Sequence, residues 1–144
     1  MNGLPRHVKK KLKSHFKGFD LDRIQIRTGI PRHVRMFAAI EPRAYASGSI
    51  LYFSEGVYDP RSKAGIALIG HEVTHCRQYA EFRTWRFRLR YLGHYLKNRM
   101  KGMTPADAYE SIPFDQEARR MQSLILSDLH VRSGRQVPHR DVSA

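Results

Sequence analysis

The segment LIGHEVTHCRQY, residues 68–79, decides how the rest of the chain is interpreted. It ends a longer segment, residues 59–79, that has few charged residues and a helical repeat of apolar ones. These apolar residues recur every three or four positions and would form one stripe: Ile66, Ile69, Val73 and Cys76. We therefore predict a largely buried helix, which would begin at Asp59 or, a little later, at Ser62.

The same segment contains two histidines that are four residues apart. On a helix, His71 and His75 point in the same direction, one turn apart. Two imidazoles in this arrangement can bind one zinc ion. Glu72 lies about 100° around the helix from His71, where it can reach a zinc-bound water without being a ligand. This spacing is typical of metal-dependent hydrolysis, because zinc acidifies the water and the glutamate accepts its proton.

A catalytic zinc ion also needs a third protein ligand and one open position. The downstream candidates are His94, Glu110, Asp115, Glu117, Asp128 and His130. We favour Glu117, which follows a proline break at the start of the last predicted helix, with Glu110 and His94 as reserves. The small Ala118 beside it would let that helix pack closely on the zinc helix. A structural explanation of Glu117 stays open, because the helix dipole favours a carboxylate in a first turn.

A second interpretation of the histidine segment involves no metal. The helix would then be a buried element whose two histidines are only hydrogen-bonded. Burying His71, Glu72 and His75 together without a metal would be costly, so we favour the metal site. Cys76 points about 100° away from the neighbouring histidine, and we interpret it as a small core residue rather than a ligand or nucleophile.

The remaining sequence predicts an α+β fold in which a short antiparallel sheet precedes most of the helices. We expect a single minimal metallopeptidase domain over residues 1–131 and a disordered tail over residues 132–144. Alternating or strand-forming residues predict strands within 22–28 and on both sides of the turn at Ser47 and Gly48. Apolar periodicity predicts further helices at 4–17, at 82–100, after Pro105 and at about 114–131.

The composition indicates a strongly basic protein. The 144 residues carry a formal net charge of +13, and the pI is about 10.4. Such a charge attracts anionic partners, including nucleic acid and acidic protein segments. The chain has one cysteine, which excludes an intrachain disulfide. Because no secretory signal and no apolar membrane segment is apparent, we expect a cytoplasmic protein, with export by a signal-independent route left open.

Three further features have a functional and a structural interpretation. Residues 82–100 combine arginines with aromatic residues, which suits single-stranded nucleic acid but also a helix with inward aromatics and solvated arginines; we favour the second. Tyr109 is our candidate for stabilising an oxyanion, with Tyr91 and His94 as alternatives, although such residues more often only pack. The strand at 44–46 or at 50–53 could pair with an extended peptide, unless both are paired internally.

Four pieces of the sequence together resemble a known family. They are GLPRHVKKKLKSHFKGFDLDRIQI, YASGSILYFSEGVYDP, LIGHEVTHCRQY and IPFDQEA. From residue 3 to about 122 the chain resembles the zinc metallopeptidase-like core domain associated with extracellular contractile injection systems, and more generally the minimal gluzincins, which are small zincin-like domains. This resemblance implies that His71, His75 and Glu117 bind zinc, that Glu72 is the base and that Gln78 is structural. The long basic segment between Ala80 and Met103 departs from the family pattern.

The sequence thus leads to one preferred function and one alternative. The preferred function is that of a zinc metallopeptidase that hydrolyses a peptide or protein substrate through a zinc-bound water activated by Glu72. The alternative is a zinc-containing basic module with little or no peptidase activity, which binds nucleic acid or a protein assembly. The two differ in whether Glu72 is required for the biological role.

Overall fold

Four short strands form one mixed sheet in the computed structural model, which describes residues 2–37 and 42–134. Their spatial order is β1-β2-β4-β3. The pairs β1/β2 and β3/β4 are antiparallel, whereas β2 and β4 are parallel, with Ile26 opposite Leu51. The strands are β1 (Asn2–Gly3), β2 (Gln25–Thr28), β3 (Ala44–Ser47) and β4 (Ile50–Phe53).

The α+β class is therefore confirmed, but the sheet is mixed rather than wholly antiparallel. The hairpin of β3 and β4 forms around Ser47 and Gly48 as predicted. The direction of β2 cannot be predicted from its alternation, because a pattern with a period of two reads the same in both chain directions.

Six α-helices accompany the sheet in the described residues. They are α1 (Arg6–Leu12), α2 (Arg32–Phe37), α3 (Lys63–Phe82), α4 (Thr84–Met100), α5 (Pro105–Glu110) and α6 (Pro113–Gly134). Seven residues in these helices are described by their backbone alone: 37, 84, 85, 87, 88, 109 and 110.

Several helix boundaries differ from the predicted ones, and α3 continues to Phe82 instead of ending at 79. Helix α1 is shorter than the predicted 4–17, although four apolar residues of that segment are buried: Leu4, Val8, Leu12 and Phe16. Helix α6 extends three residues beyond Val131, and the rest of the predicted tail, 135–144, lies outside the described residues. Within the described ranges, no helix combines the length and the apolar character that a membrane span requires.

Helix α3 is the central element of the hydrophobic core. It begins at the later of the two predicted starts, because the Ser62 side chain accepts a hydrogen bond from the backbone N–H of Gly65. The Asp59 carboxylate instead accepts from Arg61 and Ser62 in the preceding turn. The predicted apolar stripe is buried against the sheet, α1 and α6: Ile66, Ile69, Val73 and Cys76. The site segment is thus fixed by packing on several sides.

A close approach between α3 and α6 places the two helices that form the site. Gly70 immediately precedes His71, and a β-carbon at this position would collide with Cδ1 of the buried Ile125 on α6. The absence of a side chain at position 70 therefore lets α6 lie directly on α3. This approach decides which residues at the start of α6 can reach the histidines.

Gly70→Ala is expected to destabilise the protein, because Ile125 is buried in the core and has little room to move away. We expect the free energy of unfolding to fall by about 1–3 kcal/mol. Gly93→Ala is the matched control, since Gly93 is exposed in the middle of α4 and an added β-carbon would have no neighbouring atom within 4 Å. Gly93→Ala is expected to raise the free energy of unfolding by about 0.5–1 kcal/mol. Urea unfolding of metal-free protein measures both; equal effects of the two changes would contradict the close helix contact.

Candidate metal centre

Two histidine side chains on α3 form one side of the candidate site. The rings of His71 and His75 lie 5.0 Å apart in an edge-to-face arrangement. Both are about one-eighth exposed, with side-chain values of 12% and 13%. They are therefore held by the surrounding protein but remain in contact with solvent, as expected for residues one turn apart on the same helix face.

The other side of the site is a carboxylate from α6. Oδ1 of Asp115 lies 3.6 Å from Nε2 of His71 and 3.7 Å from Nε2 of His75. Its second oxygen, Oδ2, accepts a hydrogen bond of 2.8 Å from Nε of Arg119. Asp115 is buried. Its carboxylate is held by Arg119 through Oδ2, and Oδ1 faces the two imidazoles. One ligand atom from each of His71, His75 and Asp115 lies within 4.8 Å of the others, and the group could hold a metal ion.

Two glutamine side chains orient the imidazole rings. Nδ1 of His71 lies 3.0 Å from Oε1 of Gln122, and Nδ1 of His75 lies 2.9 Å from Oε1 of Gln78. An amide oxygen only accepts, so each Nδ1 carries the hydrogen and donates it. Partners of this kind at the far nitrogen are typical of metal-binding histidines, because they fix the tautomer and the ring orientation.

The orientation of Gln78 follows from its other contacts. Its Nε2 donates to the backbone carbonyl of Phe114 at 3.0 Å and to Oε2 of Glu117 at 2.7 Å. Both of these partners are acceptors, so the amide nitrogen must face them and the amide oxygen must face His75. Gln78 is fully buried, which makes this bridge between α3 and the start of α6 rigid.

The consequence is that three acceptor atoms face one another. In the neutral histidines, each Nε2 carries a lone pair that points towards Oδ1 of Asp115. Such an arrangement is unfavourable unless a cation lies between the atoms or the imidazoles are protonated. Tetrahedral zinc with bonds of about 2.0–2.1 Å places its ligand atoms roughly 3.3–3.4 Å apart. The observed nitrogen–oxygen distances of 3.6 and 3.7 Å are close to this spacing and longer than good hydrogen bonds.

The pKa values of Asp115 and His75 are shifted by the charged residues around them. Burial alone would raise the pKa of Asp115, but His71, His75 and Arg119 around the carboxylate hold that pKa well below its ordinary value. Burial alone would lower the pKa of His75, but Asp115, Glu72 and the bond to Gln78 together raise it. Asp115 is therefore ionised, as a ligand carboxylate must be. In the absence of metal, an imidazolium–carboxylate pair is the alternative state of the site.

Glu117 contacts α3 through Arg77 and Gln78, but it is not one of the groups that converge with the histidines. Its carboxylate accepts hydrogen bonds from Arg77 at 2.8 Å and from Gln78 at 2.7 Å, and its side chain is 48% exposed. Two residues correspond to about 200° of helix rotation, so Asp115 and Glu117 leave α6 in different directions and contact different residues of α3. The carboxylate that reaches the histidines is thus that of Asp115, and zinc ligation by Glu117 stays a prediction that this arrangement does not favour.

The sequence contains a signal that favours Asp115. The buried residues of α6 recur with helical spacing: Asp115, Ala118, Ile125 and Leu129. Extending the apolar stripe backwards from Leu129 leads through Ala118 to Asp115 and leaves Glu117 out of phase. The proline break and the family pattern, by contrast, point to Glu117. Neither of them indicates which residues of α6 lie on its buried face.

Glu72, the predicted base, is buried beside the two histidines on α3. Burial raises its pKa, an effect that the neighbouring charges of His75 and His71 oppose in part. The thiol of Cys76, one turn further along, is a buried part of the core, and burial followed by the charge of Glu72 raises its pKa. Cys76 therefore stays protonated, which agrees with its interpretation as a core residue.

Of the other predicted site residues, those whose side chains the structure describes do not join this group. The side chains of Tyr109 and Glu110 lie outside the described part of the chain. His94 is exposed on α4, with its ring 6.4 Å from that of Phe114. Asp128 pairs with His15 and Arg132, and His130 lies near Lys63. Of the two strands considered for peptide binding, β3 lies at one edge of the sheet in the described residues and packs against α3, whereas β4 is paired on both sides.

These features define an α+β protein whose central helix presents two histidines and a glutamate to a carboxylate on a later helix. The model of the eCIS core domain family matches residues 3–83, more than half of the chain, and the chain belongs to this family. The matched part runs from β1 to the end of α3 and includes the histidines, but not Asp115. No curated protein and no solved structure matches the chain.

Proposed function

We propose that the chain is a zinc metallopeptidase in which His71, His75 and Asp115 hold the metal. The observation that carries this proposal is that one carboxylate oxygen of Asp115 lies 3.6 and 3.7 Å from the Nε2 atoms of the two histidines, and that a glutamine contacts the other ring nitrogen of each histidine. Two nitrogens and one oxygen form a ligand set that suits zinc better than the hard cations magnesium and calcium. Three protein ligands leave a fourth position for water or substrate.

The chain's own residues would divide the chemistry between them. Zinc bound here would act as a Lewis acid that lowers the pKa of a water and polarises the substrate carbonyl. Glu72 adjoins the first ligand, accepts the proton of the attacking water and returns it to the leaving amine. The edge strand β3 packs against α3 and can receive an extended peptide by strand addition. The substrate class is therefore a peptide or an unfolded protein segment.

Glu117 has a supporting role in this proposal. Its carboxylate anchors Gln78, whose oxygen in turn orients His75. Arg77 holds the other oxygen of Glu117. For Glu117 to become a ligand, it would have to leave both partners and α6 would have to rotate, which the tight contact at Gly70 opposes.

Membership of the eCIS core domain family associates the chain with extracellular contractile injection systems. We infer that it works together with other proteins of such a system, as a peptidase or as a metal-stabilised part of the assembly. The second role uses the same metal site but does not need Glu72. Binding of nucleic acid remains an alternative based only on the net charge of +13.

The experiment that tests the proposal measures hydrolysis of an unfolded protein substrate before and after zinc is removed. The zinc-loaded chain is expected to cleave the substrate, the chelated chain to be inactive, and activity to return when zinc is restored. The metal-free chain must first be shown to remain folded by circular dichroism. Cleavage that survives removal of all metal would overturn the metallopeptidase proposal.

A further inference from the structure

Helix α4 carries an apolar stripe on its solvent side. Four large apolar side chains on this helix are between 51% and 88% exposed: Leu89, Leu92, Leu96 and Met100. Their spacing of three or four residues places them along one line over about three turns. We call this line the leucine stripe. Contiguous exposed apolar residues of this kind usually mark a surface that binds something.

The opposite side of α4 holds the helix against the protein. Tyr91, Tyr95 and Asn98 on that side are only partly exposed. Nδ2 of Asn98 donates a hydrogen bond of 2.9 Å to the backbone carbonyl of Ala108 in α5. Helix α4 also packs on α3. The leucine stripe therefore faces away from the core, and it is not the side by which α4 is attached.

Basic residues lie on both sides of the leucine stripe. A helical projection places Arg90 and Lys97 on one side of it and Arg99 on the other, and all three are exposed. Between Phe82 and Ala106 the sequence has seven lysines and arginines and no acidic residue. An apolar strip with flanking basic residues can insert its apolar atoms below the level of the charged groups that the basic residues contact.

We propose that α4 is a docking helix that lies on the surface of an anionic lipid membrane, with the leucine stripe inserted and the flanking basic residues on the headgroups. A second copy of the chain is disfavoured as the occupant, because each copy carries a net charge of +13 and would bring its basic flanks together. Nucleic acid would contact the basic residues but leave the leucines in water. The leucine spacing covers fewer than two heptads, which is too short for a coiled-coil partner.

This docking surface does not depend on the metal site, to which the described side chains of α4 contribute no ligand. The attachment is peripheral, by one helix in the plane of the interface. The basic flanks supply a salt-dependent attraction to the anionic lipid, and the leucines supply an apolar contribution that salt does not screen. Both contributions are therefore needed for binding at moderate ionic strength.

Co-sedimentation of the full chain with lipid vesicles tests the proposal. We expect binding to phosphatidylcholine vesicles that contain phosphatidylserine and little binding to pure phosphatidylcholine vesicles. The double variant Leu89→Ala and Leu96→Ala is expected to bind at least about tenfold more weakly, because each change removes apolar atoms that are exposed in the protein and that the membrane would bury. The matched control is Leu124→Ala with Val131→Ala, which removes two similarly exposed apolar side chains from α6 and should leave binding unchanged.

A second pair of variants tests whether vesicle binding depends on the position of the lysines or only on the net charge of the chain. Lys97→Gln with Lys101→Gln is expected to weaken binding more than Lys10→Gln with Lys11→Gln, although each pair removes two charges. Circular dichroism must show that all variants are folded. No binding to acidic vesicles, equal loss in both apolar variants, or a dimer in sedimentation velocity that the Leu89 and Leu96 changes dissociate would overturn the proposal. Retention on a nucleic-acid column that the leucine changes do not affect, without vesicle binding, would overturn it too.

Discussion

Asp115→Ala is expected to abolish tight zinc binding, with the dissociation constant rising at least about 100-fold. Residues behind the ligands typically contribute a factor of about ten to one hundred to metal affinity, so the loss of a ligand itself should exceed that range. Asp115 is the carboxylate whose oxygen lies 3.6 and 3.7 Å from the two histidine nitrogens. Competitive titration against a zinc-binding dye measures the effect, together with the zinc content of the purified protein.

Glu117→Ala is the matched control for this prediction. Glu117 lies two residues further along the same helix, and its carboxylate contacts Arg77 and Gln78 rather than the histidines. We expect its replacement to weaken zinc binding by no more than about tenfold, through the loosened Gln78. A larger loss in Glu117→Ala than in Asp115→Ala would show that Glu117 is the third ligand. Asp115→Asn preserves the shape of the side chain but removes the carboxylate. A similar loss of zinc affinity in this variant would show that the loss in Asp115→Ala is not a packing defect.

Glu72→Gln is expected to lower the rate of peptide hydrolysis by about 10²–10⁴-fold while zinc remains bound. The amide has nearly the same shape as the carboxylate but cannot accept the proton of the attacking water. Because Glu72 is not one of the three converging groups, its replacement should change zinc affinity little. Hydrolysis of an unfolded protein by samples of equal zinc content measures the effect.

The control for Glu72→Gln is Cys76→Ser, one helical turn further along α3. Cys76 is buried next to Glu72 but takes no part in the proposed chemistry, so the change should affect stability more than hydrolysis at a given folded fraction. If Glu72→Gln cleaves as fast as the wild type, the peptidase proposal is wrong and any observed cleavage is that of a contaminant. If neither protein cleaves and the biological role persists, the metal-stabilised binding module is the better interpretation.

Helix α3 and the placement of its histidines are predictable from local sequence. The stripe from Ile66 to Cys76 has a clear helical period. His71 and His75 are four residues apart, so on this helix they point in the same direction as each other. The start of the helix is predictable only as two alternatives, because both Asp59 and Ser62 can cap it. The structure uses Ser62 for the helix and Asp59 for the preceding turn.

The third member of the site depends on tertiary structure to a greater extent. The phase of the buried stripe of α6 favours Asp115 over Glu117, but the contact of Ile125 with Gly70 is what places that stripe against α3. A glycine at the right place in α3 is visible in the sequence, but its partner fifty-five residues later is not. The parallel pairing of β2 with β4 is long-range in the same way, since alternation fixes the buried face but not the strand direction.

The exposed face of α4 is another feature that local sequence does not specify. The sequence predicts that residues 82–100 pack their aromatic residues inwards and expose their arginines. In the structure the tyrosines at 91 and 95 are partly buried, while the leucines at 89, 92 and 96 are exposed together with the basic residues. A helix with apolar residues on most of its circumference does not specify which side faces the core.

The most direct test of the metal centre is a crystal structure of the zinc-loaded protein with anomalous data at the zinc absorption edge. We expect one strong peak, about 2.0–2.2 Å from Nε2 of His71, Nε2 of His75 and an oxygen of Asp115. No peak at the histidines in crystals grown with zinc would contradict the metal centre. A peak that is coordinated by Glu117 in place of Asp115 would preserve the metal but refute the ligand set proposed for it.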